Sequence, residues 1–218
     1  MRVIGFDLDM TLVDSADAIV DGVRAVASAY GTQVDETWMR TTIGLPLDVV
    51  FPEVVPGVPY DDALEIYRRR YITHGLAMQT LLPGAREALE AVVSDGFSIV
   101  VVSAKKDTHV LAVLEVVGLG GLIAEVVGER FAEGKADALR ERAAEVYVGD
   151  HVGDVLGAQG CGALAVAVAT GPTPASDLAA AGADVVLDDL TGFVPWWRGW
   201  VAGAGEPAPL PARSEESA

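Results

Sequence analysis

The sequence predicts an α/β protein, a doubly wound parallel sheet with an inserted small helical cap. Three observations predict it. Short, unbroken apolar runs recur along the chain, as strands buried on both faces of a parallel sheet require. Segments with helical spacing separate them, the β-α alternation of right-handed crossovers. One long stretch, 15–80, breaks the alternation and holds no convincing parallel strand.

The elements follow in order. Arg2-Val3-Ile4-Gly5-Phe6 is the first apolar run and stops at Asp7. Asp14 and Ser15 then resemble an N-cap. Ile19, Val20, Val23, Val26, Ala27 and Tyr30 follow at helical spacing, and Gly31 ends the helix. Pro52, Pro56, Gly57 and Pro59 predict an irregular connection. A second inserted helix is expected over 61–75, with Ala63, Leu64, Tyr67 and Tyr71 on one stripe. The chain returns to the sheet near Leu82-Pro83-Gly84. Helices are expected at 84–95, 107–117, 135–143 and 153–160. Between them lie the runs Ser98-Ile99-Val100-Val101-Val102, Glu145-Val146-Tyr147-Val148, Leu164 to Ala169 and Asp184-Val185-Val186-Leu187. Ile123 to Val127 is a weaker strand candidate. Trp196, Trp197 and Trp200 fall at helical spacing and are expected to pack on the core. The expected organisation is an α/β core from 1–14 and 81–201, a helical cap over 15–80, and a flexible tail over 202–218 rich in Ala, Gly, Pro and Ser.

Composition bounds the function. The 218 residues hold 15 Lys and Arg against 32 Asp and Glu, a net charge of −17, and 51% are apolar. That apolar share excludes an acidic disordered chain. The charge excludes a nucleic-acid clamp, which needs a basic stripe, and an anionic membrane surface as partner. No run approaches the roughly 20 apolar residues of a membrane span. Asp7 and Asp9 interrupt the segment where a signal peptide would be apolar. Cys161, the single cysteine, makes no internal disulfide and is expected to be a small buried apolar residue. A cytoplasmic location is expected. The oligomeric state is left open.

Polar residues fall where the runs stop. Asp7 with Asp9, Ser103, and Asp150 each follow an apolar run. Ligands of open parallel sheets bind outside the carboxyl ends of the strands, so three strands deliver these groups to one crevice. Asp7, Asp9, Asp150 and Asp154 would there form a cluster of carboxylates that repel without a cation. Hard oxygen ligands point to Mg2+, which commonly bridges to a substrate phosphate.

The segment Asp7-Leu8-Asp9-Met10-Thr11 resembles the DxDxT motif of the haloacid dehalogenase-like hydrolases, most of which are phosphatases. Ser103 is similar to the second motif, Lys135 in Glu133-Gly134-Lys135 to the third, and Gly149-Asp150-His151-Val152-Gly153-Asp154 to the fourth, GDxxxD. The motifs appear in the family's order across residues 1 to about 192. Ile43-Gly44-Leu45-Pro46, Tyr67-Arg68-Arg69-Arg70-Tyr71 and Leu82-Pro83-Gly84 look closest to the phosphoglycolate phosphatase-like group. The resemblance implies a magnesium-dependent phosphatase of a small phosphorylated metabolite. Asp7 would be the nucleophile and Asp9 the general acid and base. Mg2+ would be held by the Asp7 side chain, the Asp9 carbonyl and Asp150, with Asp154 in or next to the ligand set. Thr11, Ser103 and Lys135 would hold the phosphoryl oxygens.

Rivals share the fold. A 2-haloacid dehalogenase and a phosphonate hydrolase both lack the second Asp, and the latter uses a cap lysine, whereas 15–80 contains no lysine. A phosphosugar mutase keeps both Asp residues and stays open, as does a non-catalytic binding protein. Two departures bear on substrate scope. Met10 stands where the family has Gly, and Ala104-Lys105-Lys106 replaces the usual Asn after the second motif. Lys105 and Lys106 are expected in solvent. Arg68, Arg69 and Arg70 read as a solvated helix face, with Arg68 the best candidate for a substrate contact. His74, His109 and His151 receive no role.

Overall fold

The computed structural model describes residues 2–203. In chain order its main elements are β1 (Val3–Phe6), β2 (Val13–Asp14), α1 (Ala16–Ala29), α2 (Glu36–Thr41), α3 (Leu47–Val54), α4 (Tyr60–Thr73), β3 (Thr80–Leu81), α5 (Ala85–Ser94), β4 (Ser98–Val102), α6 (Asp107–Val116), β5 (Glu125–Val127), α7 (Glu133–Glu141), β6 (Ala144–Gly149), α8 (Val152–Cys161), β7 (Leu164–Val168), α9 (Ala175–Ala180), β8 (Val185–Leu187) and α10 (Phe193–Ala202). Six strands form one sheet in the order β5-β4-β1-β6-β7-β8, and every pairing in it is parallel. The chain leaves β1 toward β4 and β5, then returns on the other side through β6. Asp7 therefore emerges where the winding reverses, the place where such sheets bind ligands.

The unbroken apolar runs have a physical cause. Along each strand, alternate residues enter two separate cores. Ile4, Phe6, Ile99, Val101, Val146 and Val148 join α5, α6 and α10 on one face. Val100, Val102, Tyr147, Ala165 and Ala167 join α7, α8 and α9 on the other. On the second face α7 lies close to β1 at Gly5. A Cβ on Gly5 would stand 2.6 Å from Leu139 Cδ2.

The C-terminal tryptophans pack as expected. Trp197 is fully buried, stands edge-on to Phe97 at 4.8 Å, and donates its indole N–H to Asp95 at 2.7 Å. Of the expected tail, Ala202 closes α10, and 204–218 lie outside the described residues. Among the described residues no helix is long and apolar enough to cross a membrane.

Stretch 15–80 is helical. Tyr67 of α4 covers Gly22 of α1, where a Cβ would stand 2.6 Å from the ring. The antiparallel β2–β3 pair joins both ends of this stretch to the rest. Some expectations need correction. The irregular connection predicted around Pro52 is in part α3, with Pro52 inside it. Val50, Phe51 and Val54 bury one side of that helix, so packing outweighs the single backbone donor that proline removes. Ser15 is the N-cap residue of α1, but its hydroxyl makes no capping bond; instead Asp14 accepts from the Ala16 N–H at 3.1 Å. Cys161 is half-buried rather than buried, because it ends α8.

Candidate active site

Three strand ends build the site. After β1 the ladder continues one residue, with the Asp7 N–H donating to the Val148 carbonyl at 2.8 Å. The chain then turns tightly, because the N–H groups of Leu12 and Val13 both donate to the Leu8 carbonyl. Leu8 and Leu12 are fully buried and anchor this turn. It places Met10 at φ 56°, the left-handed region where glycine is the usual occupant. The Thr170 hydroxyl, in the loop after β7, donates to the Met10 carbonyl and holds the turn.

Asp7, Asp150 and Asp154 converge, each offering an oxygen within 4.8 Å of the others. All three are buried. The Lys135 ammonium sits among them, 2.5 Å from Asp154 Oδ1 and 3.1 Å from Asp7 Oδ1. Lys135 occupies the first turn of α7, directed into the site by Ala136, Ala138 and Leu139 on the buried face. The Thr11 hydroxyl donates to Asp150 Oδ1 at 3.1 Å. Ser103 is buried at the end of β4, and its hydroxyl oxygen accepts from the Lys105 N–H at 3.2 Å.

Asp154 is satisfied on both oxygens, by Lys135 and by the His151 backbone N–H at 3.0 Å. His151 and Asp154 form a reciprocal capping box at the start of α8. The GDxxxD spacing is therefore also a helix start. Asp150 Oδ2, by contrast, is buried and accepts no hydrogen bond, and Asp7 Oδ1, also buried, has only the Lys135 ammonium at 3.1 Å. Space around them is kept by glycines. A Cβ on Gly171 would lie 1.9 Å from Asp150 Oδ2, and one on Gly149 would lie 2.3 Å from the Asp154 carboxyl carbon.

The charges in this cluster act strongly on one another. Burial pushes Asp7 up to about 7, against the pull of Lys135, and the Asp154 and Asp9 charges add to the rise. Burial likewise drives Asp150 well up, reinforced by Asp154 and Asp7. Burial alone would lower Lys135, but the Asp154 and Asp7 carboxylates hold it charged. One ammonium cannot neutralise three carboxylates. The orphaned Asp150 oxygen and an excess of negative charge fit a divalent cation with oxygen ligands.

Asp9 stands apart from this triad. Its Oδ2 pairs with the Lys105 ammonium at 2.9 Å, and its Oδ1 is buried without a hydrogen bond. Lys105 was expected in solvent, yet its side chain is only 8% exposed. Its ammonium also lies 4.2 Å from the centre of the Tyr71 ring of α4. A lysine three residues beyond the end of β4 was the only sequence signal for this placement. Lys106, the next residue, is exposed as expected. Beside Asp9 and Lys105 lies a cavity of roughly 280 Å3, between the helical stretch and the loops after β4 and β5. Arg68 lines it and pairs with Glu129 at 2.6 Å. Arg69 and Arg70 pair with Glu65 and Asp21 outside it. His109 stacks on Tyr71, rings 5.8 Å apart; burial and the Lys105 charge lower it to about 4.

The family model of the haloacid dehalogenase-like hydrolases matches residues 4–168. A protein of Dickeya dadantii named probable phosphatase IndB is 29% identical over 212 residues, which cover 87% of this chain and 90% of that protein. The phosphoglycolate phosphatase of Pasteurella multocida is 26% identical, covering 87% and 95%. A haloacid dehalogenase-like hydrolase structure from Streptococcus pneumoniae superposes with a TM-score of 0.80 at 22% identity, covering 90% and 98%, a likeness of fold. With three of its motifs at strand ends of this sheet and the third motif, Lys135, in the first turn of α7, the chain belongs to the haloacid dehalogenase-like hydrolases and resembles their phosphoglycolate phosphatase-like members.

Proposed function

We propose that the protein is a magnesium-dependent phosphatase of a small phosphorylated metabolite, acting through an aspartyl phosphate on Asp7. The observation that carries this reading is the buried triad of Asp7, Asp150 and Asp154 beside Lys135, with Asp150 Oδ2 unpartnered. The Asp7 and Asp150 side chains and the Asp9 carbonyl would hold Mg2+, with Asp154 fixed behind them by Lys135 and the α8 cap. The cation would offset the charge between an anionic nucleophile and an anionic ester.

The chain's own residues divide the work. Asp7 forms a bond to phosphorus as the ester oxygen leaves, and Asp9 gives that oxygen its proton. In the second half, Asp9 takes a proton from water, the water oxygen bonds to phosphorus, and the Asp7 carboxylate is released with inorganic phosphate. Lys135, Ser103 and Thr11 position the phosphoryl oxygens and stabilise their charge. Thr11 would release Asp150 to do so. The Lys105 contact holds the Asp9 side chain out of the triad, apart from the proposed metal ligands.

In this reading 15–80 is a cap over a core of 1–14 and 81–201, and β2 with β3 is its hinge. Such a lid excludes water and completes a site. The relatives named as phosphatases support the reaction class. Phosphate release from an aryl phosphate should require Mg2+ and fall by at least about a thousandfold in Asp7→Asn. Unchanged release by that variant, or none from wild type across a broad ester panel, would reject the reading.

A further inference from the structure

The cavity beside Asp9 has two chemically distinct parts. Much of its wall is apolar, including Ile19, Met39, Leu47, Leu64, Tyr67 and Phe131. Four of the chain's 15 basic residues also line it: Arg68, Lys105, Lys106 and Arg130. Arg68 and Lys105 are occupied by Glu129 and Asp9. Lys106 and Arg130 are exposed and have no carboxylate partner among the described residues. One carboxylate of the lining, Asp48, has no cation partner among the described residues. In a chain of net charge −17, surface cations have carboxylates in plenty to pair with. Two left free at the mouth of one cavity mark an anion-binding edge.

We propose that the leaving group of the substrate is an apolar body, aromatic or branched, carrying one carboxylate that Lys106 and Arg130 bind. This rests on the phosphatase reading, because it places the phosphoryl end at Asp9 and the rest of the ester in this cavity. A polyhydroxylated sugar would bury hydroxyls against Met39, Leu64 and Phe131 without partners. A two-carbon acid would leave the apolar wall uncovered and forfeit its burial. Two free cations set against Asp48 favour a single negative charge over a doubly charged second phosphate.

The test uses phosphonates, whose C–P bond this chemistry does not cleave. Binding of benzylphosphonate, 4-carboxybenzylphosphonate and 3-phosphonopropionate to the wild-type protein with Mg2+ is measured by calorimetry. The carboxylated aryl compound should bind about tenfold tighter than benzylphosphonate and tighter than the short acid. Lys106→Ala with Arg130→Ala should remove most of the first difference, and both residues are exposed, so the fold is not at stake. Equal binding of the two aryl compounds, a preference unaffected by the double variant, or tightest binding of the short acid would overturn the inference. Ester hydrolysis measured alongside separates the two readings. Turnover without a carboxylate preference in binding overturns this inference alone. The preference without any turnover overturns the phosphatase reading and leaves the cavity assignment standing.

Discussion

Lys135 holds one positive charge between two buried carboxylates, and its removal would leave both uncompensated. Lys135→Met should therefore destabilise the metal-free protein by about 3–5 kcal/mol in urea unfolding. A loss below about 1 kcal/mol would show that the carboxylates relax into water instead. The sequence marked Lys135 by its spacing from the other motifs, but it could not mark Lys105. A lysine is ordinarily solvated, and what buries Lys105 is the pair of Asp9 from one strand end and Tyr71 from α4, a neighbourhood that exists only after folding. Gly171 was hidden for a similar reason. Its importance lies in the missing Cβ against Asp150, which no local pattern announces. Gly171→Ala should displace the Asp150 carboxylate and weaken Mg2+ binding about tenfold or more by calorimetry, second-order changes at metal sites being of that size. Binding within twofold of wild type would contradict the role of Asp150 as a ligand.

At the scale of elements, the strands were legible because a strand buried on both faces can only be an unbroken apolar run. β4 and β7 lie where those runs lie, and the weak candidate before Val127 shortened to β5. The short helices α2 and α3 were not legible. α2 has only six residues, started by Asp35 accepting from the Thr37 and Trp38 N–H groups, and α3 carries a proline. Tertiary packing, not local propensity, decides such segments. Where the helical stretch returns to the sheet, Gly84 has φ +81°, and a Cβ there would lie 2.3 Å from the Leu190 carbonyl carbon. Backbone cannot yield as a side chain can. Gly84→Ala should destabilise the protein by about 1–3 kcal/mol in urea unfolding, with catalytic parameters per folded molecule unchanged. No loss of stability would mean that the chain before α5 shifts freely.

For the whole molecule, the site's charge is coupled to stability. The ordinary Asp value is 3.8, and burial raises Asp7 to about 7. The folded metal-free protein then binds more protons than the unfolded chain between about pH 4 and 7, so its stability falls as pH rises through that window. In the proposed reading Mg2+ would bind the ionised carboxylates and should restore what is lost. The rise in melting temperature on adding Mg2+ should be larger at pH 8 than at pH 5; equal rises would contradict the protonation proposed for Asp7. The net charge of −17 is compatible with an anionic substrate because global and local charge are separate. In the proposed reading the acidity of the site would face a cation, while Lys135, Lys106 and Arg130 would face the ester. The most direct test of the account is acid-quenching the wild-type protein during turnover of an aryl phosphate with Mg2+, then mapping the modified peptide by mass spectrometry. The account predicts one phosphoryl group on Asp7, absent from Asp7→Asn. Steady phosphate release with no phosphorylated Asp7 at any quench time, or with the group on another residue, would contradict it.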